Sequence, residues 1–482
     1  MSWDSSQAWA KDVVDHVVDA KQLQKIQHVI VIYGENRSFD NLYGLFPGAN
    51  GITKQGIVQV DNDGNPLPRL PDVWTGNPPI ADPSYPRLAN QPFQLDGPQV
   101  HKAYSVETRD LVHRFYQNQE QIDGGKMDRY AAVSDAGGLV MGYYDGSNMK
   151  LWKIAKRYTL ADHFFMGAFG GSFLNHMWLV CACTPVFPNA PASLVAVVDN
   201  ENKLTRKPTS PVSALDGPPQ FVLDGAVTPD GYGINTLQSS YQPSGIAPSA
   251  NGDYRLADTS ANPLPPQTEK TIGDALSEKN VSWAWYAGGW SKALRDGIQP
   301  PGAKRAVIYA EDGINFQPHH QPFNYFKRYA PGTQERARHL KDGEEFLSAI
   351  KKGNLPKVAF YKPEGKLNQH PGYADIAAGD EHIADLIGRI QKSPLWKNTL
   401  IIVTYDENGG FWDHVAPPPG DRWGPSNRVP TLIISPYAKQ GYVDHTPYDT
   451  TAILKFITRR FHLQPLPGIR PAAGDLTGAL QF

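Results

Sequence analysis

Five short apolar runs constrain this chain more than any other feature. They read HVIVIY (His28 to Tyr33), VSWAWYAGG (281–289), KVAFYKP (357–363), TLIIVTYDE (ending at Glu407) and PTLIISPYA (430–438). Each has strand length, and in the first the apolar residues fill both odd and even positions. A strand with one wet face would alternate instead, so these runs predict strands buried on both faces. Helical patterns lie between and around them, notably GDEHIADLIGRIQKS (379–393) and SNMKLWKIAKRYTLADHFF (147–165), the latter ending in a turn or short strand. Strands that alternate with helices predict an α/β fold, with a mainly parallel central sheet and helices on both faces.

The rest of the chain decorates that frame. Val13, Val14, Val17, Val18, Leu23 and Ile26 recur at helical spacing over 11–26 and predict a surface helix leading into the first strand. Residues 47–98 are rich in Pro, Gly, Asn and Asp and read as a surface excursion, while 105–135 turn helical again. GAFGGSFLNHMWLV (167–180) reads as a Gly-rich loop running into an apolar helix. Residues 184–270 return to Pro, Gly, Ser and Asn and are expected to form a loop-rich insertion. No repeat of 20–50 residues is present.

Composition excludes several classes. A net charge of -2 over 482 residues supplies no global positive field for nucleic acid or an anionic membrane. No apolar run reaches the roughly 18 residues a membrane helix needs. The first 26 residues are polar and acidic where a signal peptide would be apolar, so none is predicted there. Cys181 and Cys183 are the two cysteines. With one residue between them a bridge is expected to be strained, and two small buried apolar side chains are predicted instead. A single Cys-x-Cys pair is a poor zinc site.

Chemistry concentrates after the strands and in the Gly-rich loop, where open α/β sheets bind ligands. Glu35 and Asn36 follow HVIVIYG, Asp406 and Glu407 follow TLIIVTY, and Ser172 sits in GGSFLNH. Carboxylates and an amide oxygen are hard ligands suited to a divalent cation. Taken singly, each has a structural use. Glu35 could pair with Arg37, Asp406 could cap a turn, and Ser172 could cap the following helix. Together they place a hydroxyl near a cation, with Gly170 and Gly171 letting an anion approach the backbone closely. His113, His319, His320 and His370, with His382 and His414 as further candidates, could supply the proton donor and positive groups that phosphate chemistry needs.

These residues also carry a resemblance. VIYGENRSFDNLYG resembles the ENRSFD signature of the bacterial phosphoesterase family that contains C-type phospholipases and acid phosphatases. GGSFLNHMWLV is similar to its Gly-x-Ser/Thr-x-x-Asn nucleophile loop, and TYDENGGFWDHVAPP to its Asp-Glu-x-Gly-Gly-x-x-Asp-His-Val motif. RVPTLIISPYA and GGKMDRY (124–130) match as well, in the expected order, so the resemblance covers most of the chain.

The resemblance implies an alkaline-phosphatase-like fold, one phosphoesterase domain over 1–482 with 184–270 inserted in it. It implies one divalent ion, whether calcium, magnesium, manganese or zinc, bound by Glu35, Asn36, Ser172, Asp406 and Glu407. Ser172 matches the nucleophile that forms a phosphoserine. His113 and His370 match groups that protonate the leaving alcohol, and Asn36, His319 and His320 groups that bind the phosphate. Serine at 172, Gly171 in place of a proline, and the HHQPF pair resemble the acid phosphatase branch. That branch implies broad monoesterase activity on small phosphate esters at mildly acid pH, in a periplasmic or secreted setting. A phospholipase C-type phosphodiesterase is the alternative. A phosphotransferase and a non-catalytic phosphate- or glycan-binding protein are the remaining readings.

Overall fold

The computed structural model describes residues 18–52 and 58–482. Eight strands form its main sheet: β1 (His28–Gly34), β2 (Thr159–Ala161), β3 (Trp283–Ala287), β4 (Leu340–Asp342), β5 (Val358–Lys362), β6 (Thr399–Tyr405), β7 (Thr431–Ile434) and β8 (Tyr442–Asp444). Their order is β8-β2-β7-β6-β1-β5-β3-β4. Only the pairings of β7 with β6 and with β2 are antiparallel, so seven strands run one way and one is reversed. The predicted mainly parallel sheet is therefore present.

β3, β5, β6 and β7 are buried at every position, and β1 at all but His28. Both parities being buried means that both faces are covered. Each Val, Ile or Leu so buried contributes about 1.5–3 kcal/mol over the exposed state.

The helices follow from capping and periodicity. α1 (Phe115–Ile122) and α2 (Ser172–Cys181) lie in the first half of the chain. α3 (Gly343–Lys352) opens on an Asp342–Glu345 capping box and stops at Gly353, which takes φ 65°. α4 (Ile376–Lys392) is capped by Asp375, which accepts from Ala378 N, and buries Ile376, Ile383, Leu386, Ile387 and Ile390 along one stripe. α5 (Thr450–Phe461) is capped by Asp449. Every residue of α2 is buried, as its apolar sequence predicts.

Other expectations meet their outcomes here. The helix expected over 11–26 falls largely outside the described residues, which hold only the turn Ala20–Leu23 of it. The stretch 147–165 forms a helix at Lys150–Ala155, then β2 and the two-residue strand Phe164–Phe165. Residues 184–270 carry two 3-10 turns and isolated bridges such as Val195 with Val227.

The reading of the cysteines is corrected: Cys181 and Cys183 form a disulfide. Ala182 between them ends α2 in a left-handed conformation (φ 48°, ψ 42°), which folds the chain back and brings the two Cα atoms to 5.1 Å. That separation lies inside the ordinary range for a bridge, so the short spacing is relieved by the turn.

Candidate active site

β1 and β6 are adjacent and in register, with Gly34 opposite Tyr405. Glu35 and Asp406 therefore leave the sheet side by side, and both are fully buried. Asp406 ties the two turns together, since its Oδ1 accepts from Asn36 N at 3.0 Å and from Glu407 N at 2.8 Å. Arg37 N donates to the Glu407 carbonyl at 3.0 Å. Gly409 has φ +63°, and a Cβ there would lie 2.3 Å from the Asn36 carbonyl oxygen, so the tight return needs glycine.

Ser172 arrives from the other side, as the first residue of α2. Gly170 has φ +88° and leaves no room for a Cβ beside Phe115 N. Asn175 staples this loop: its Oδ1 accepts from Ala168 N, and its Nδ2 donates to the Ala168 and Gly171 carbonyls. The Asn of the loop motif thus holds Ser172 in place.

Ser172 Oγ lies 3.1 Å from Glu35 Oε2, 3.2 Å from Asn36 Oδ1 and 3.3 Å from Glu407 Oε1. A hydroxyl has one proton and can satisfy one of these acceptors. The other two converge on the same hydroxyl without its proton. Burial and Glu35 push the Asp406 carboxyl up to about 6, and burial pushes Glu407 well above the ordinary range. Four converging oxygens, with the raised Glu407 carboxyl among them and Asp406 beside them, are a donor set that fits a hard divalent cation. Arg37 does not pair with Glu35; its guanidinium donates to the Gln369 carbonyl.

Ser172 opens onto a cavity of about 300 Å³ whose walls include Asp110, His113, Asn235, His319 and His370. His113 Nδ1 donates to the Leu111 carbonyl at 2.5 Å, which leaves Nε2 3.4 Å from Asn36 Nδ2 and 3.7 Å from Glu407 Oε1. Burial works against its charge, but Glu407 and Asp110 outweigh it and push His113 up to about 9. His370 stacks on Tyr373 and meets His113 edge-on, with ring centres 5.6 Å apart. Burial, aided by the nearby His113, lowers it to about 4 despite Asp110. The two candidate acids are thus driven apart: His113 toward the charged form, His370 toward the neutral one.

His320 does not line the cavity. It sits behind Glu35, with Nε2 3.0 Å from Oε1. Burial, then Lys362, hold it far below the ordinary histidine value. His382 bonds the Tyr361 hydroxyl and His414 bonds Asp40, so both serve elsewhere. Sequence reasoning missed two residues. His176 lies one turn after Ser172 on α2, where the i, i+4 spacing was the signal; its Nδ1 bonds the Ser172 carbonyl and lies 3.8 Å from Asp406 Oδ2. Lys362 ends β5 fully buried, 2.5 Å from Glu35 Oε1. A lysine closing an apolar run was its signal.

Residues 26–464 match the Phosphoesterase family, a span that contains every member of this cluster. The chain belongs to the Phosphoesterase family. Among curated proteins similar to this chain, "Phospholipase C B" of Mycobacterium tuberculosis is 22% identical over 95% of this chain and 78% of its own length. "Non-hemolytic phospholipase C" of Burkholderia pseudomallei is also 22% identical, over 95% of this chain and 59% of its own. Among solved structures, an alkaline phosphatase superfamily protein from Vibrio parahaemolyticus matches at 11% identity and a TM-score of 0.33, covering 77% of this chain and 71% of that one.

Proposed function

We propose that this protein hydrolyses phosphate monoesters of small polar alcohols, with Ser172 as the nucleophile in a metal-dependent reaction. The observation that carries the reading is Ser172 Oγ held within 3.3 Å of three acceptor oxygens, on a residue that opens onto a small polar cavity. Glu35, Asn36, Glu407 and Ser172, with Asp406 beside them, would hold a divalent cation. Such an ion lowers the pKa of the hydroxyl and offsets charge on the phosphate oxygens. Glu35 and Glu407 are within reach of the serine proton. Ser172 Oγ attacks phosphorus in line, the ester bond breaks, and a phosphoserine forms. His113 gives its Nε2 proton to the departing oxygen. Water then attacks from the same side, losing its proton to His113, and frees Ser172 and phosphate.

His113 carries its proton through neutral pH because Glu407 and Asp110 hold its value near about 9. A cation sharing Glu407 would weaken that pull and bring the alkaline limb of the pH profile down toward the mildly acid range implied by the acid phosphatase branch. His319 is kept neutral by burial and His320, so it acts on the phosphate as a hydrogen-bond donor rather than a charge. A periplasmic or secreted setting fits the Cys181–Cys183 bridge.

Ser172→Ala tests the nucleophile. The variant should keep the fold and lose turnover by several orders of magnitude, and acid quench of the wild type should leave labelled phosphate on Ser172. Activity above roughly a tenth of wild type would show direct attack by water.

A second reading, a phospholipase C-type phosphodiesterase, is favoured by the names of the curated relatives. Headgroup release from phosphatidylcholine, measured beside hydrolysis of glycerol phosphate, separates the two. Preference for the diester at every pH would replace the monoesterase reading.

A further inference from the structure

Glu35 and Asp406 each present one oxygen to Ser172 or its neighbours and one oxygen to the rear. The rear pair, Glu35 Oε1 and Asp406 Oδ2, face side-chain nitrogens. Two buried imidazoles stand behind them, and a third, His319, reaches in from the cavity wall. His320 Nε2 is 3.0 Å from Glu35 Oε1, and His176 Nδ1 is 3.8 Å from Asp406 Oδ2. His319 lies against both, with ring centres 5.0 Å from His320 and 5.4 Å from His176. The ligand atoms of Glu35, His319 and His320 fall within 4.8 Å of one another, as do those of Glu35, His176 and Asp406. Two carboxylate oxygens and several imidazole nitrogens form a donor set that suits zinc or cobalt better than calcium or magnesium. Its place is taken by an ammonium: Lys362 Nζ lies 2.5 Å from Glu35 Oε1 and 4.0 Å from Asp406 Oδ2. The same Nζ donates to the Gly34 carbonyl at 3.2 Å, so it is fixed there by backbone as well as charge.

We infer that Lys362 occupies a second cation position behind the front oxygen cluster, and that its ammonium limits the centre to one divalent ion by filling a nitrogen-rich site that would otherwise take zinc. The inference rests on the reading of the front cluster as a metal site. A fixed ammonium beside Glu35 satisfies the rear oxygens with a single charge, and it repels a second dication at close range. Removing it leaves two buried carboxylate oxygens and the imidazoles facing a space with no cation, a strongly disfavoured arrangement that binding of a soft dication relieves.

Metal stoichiometry tests this without reference to turnover. Wild type, Lys362→Ala and Lys362→Arg are stripped of metal and titrated with cobalt and with zinc, following the cobalt visible spectrum and counting bound metal after gel filtration. Wild type and Lys362→Arg should saturate at one equivalent, and Lys362→Ala at two, the second with the intense bands of a nitrogen-ligated, low-coordinate cobalt ion. A single equivalent in folded Lys362→Ala would overturn the inference, and so would two equivalents in wild type. The wild-type arm stands even if Lys362→Ala does not fold. Wild type that binds no ion at all would instead sink the metal reading of the front cluster, and the inference with it.

Discussion

Asn36 takes a left-handed backbone conformation, φ 57°, directly after the first strand. In an extended chain Glu35 and Asn36 would point to opposite faces. The turn sends both side chains to the Ser172 hydroxyl. Asparagine tolerates this conformation better than most residues, so one position meets a backbone and a ligand demand together. The sequence shows the chemistry of Glu35, Asn36, Asp406, Glu407 and Ser172, because a motif keeps its residues adjacent. It shows less of the histidines, which come from separate loops and differ mainly in surroundings. His320 reads like His319 in the sequence, yet one faces the cavity and the other backs onto Glu35. Lys362 was legible only as a charge in the wrong kind of strand. The opposed shifts of His113 and His370 lead to a prediction at this scale. His113→Asn should lower kcat/KM for an alkyl phosphate by roughly 10²- to 10⁴-fold, the ordinary worth of a general acid. It should cost far less with nitrophenyl phosphate, whose leaving oxygen needs no proton. Equal losses on both esters would assign His113 to binding.

At the scale of elements, the main strands were legible because both parities of each run are apolar, a pattern that has one comfortable solution in a covered sheet. The edge strands β4 and β8 were not, and β2 only as a turn or short strand. Each has three residues, too few for a period, and LKD and YVD carry charge. Pairing with a neighbour makes them strands. The loops between elements are locked by buried charge instead of apolar contact. Arg428, fully buried, donates to Asp413 and Asp40 and to the carbonyls of Asn50 and Asp162, joining the turn after β1, the Asp-His-Val end of the metal motif and the end of β2. Arg428→Ala would strand two buried carboxylates. The expected cost is about 3–5 kcal/mol, the usual penalty for breaking a buried pair by removing one partner. Thermal or urea unfolding measures it; a loss under about 1 kcal/mol, the range of surface pairs, would mean that water already screens the network.

For the whole molecule, the buried carboxyls of the front cluster are a source of instability that a bound cation would offset. Burial raises Asp406 to about 6, above the value of about 3.9 for an unfolded aspartate, and Glu407 is raised as well. A carboxyl raised in the folded state binds more protons folded than unfolded between those two values. Stability of the metal-free protein should therefore fall as pH rises from about 4 to about 6, and stay low above that. Metal at a hundred times its Kd should add back about 2.7 kcal/mol. Melting temperatures across pH, with chelator and with metal, test both statements. A metal-free protein whose stability rises over that interval would show that these carboxyls ionise without strain.

The in-register pairing of β1 with β6 has a further consequence, for time rather than energy. Glu35, Asn36, Asp406 and Glu407 follow directly on the two central strands of the sheet, not on a lid or a hinge. Small openings of the fold, which begin at frayed edges and loops, leave these strands closed. An ion seated between them has no breathing motion to help it out. It would leave only by the mouth of the cavity, so its residence time would be set by its own bonds, and exchange with free metal should be slow on the scale of turnover.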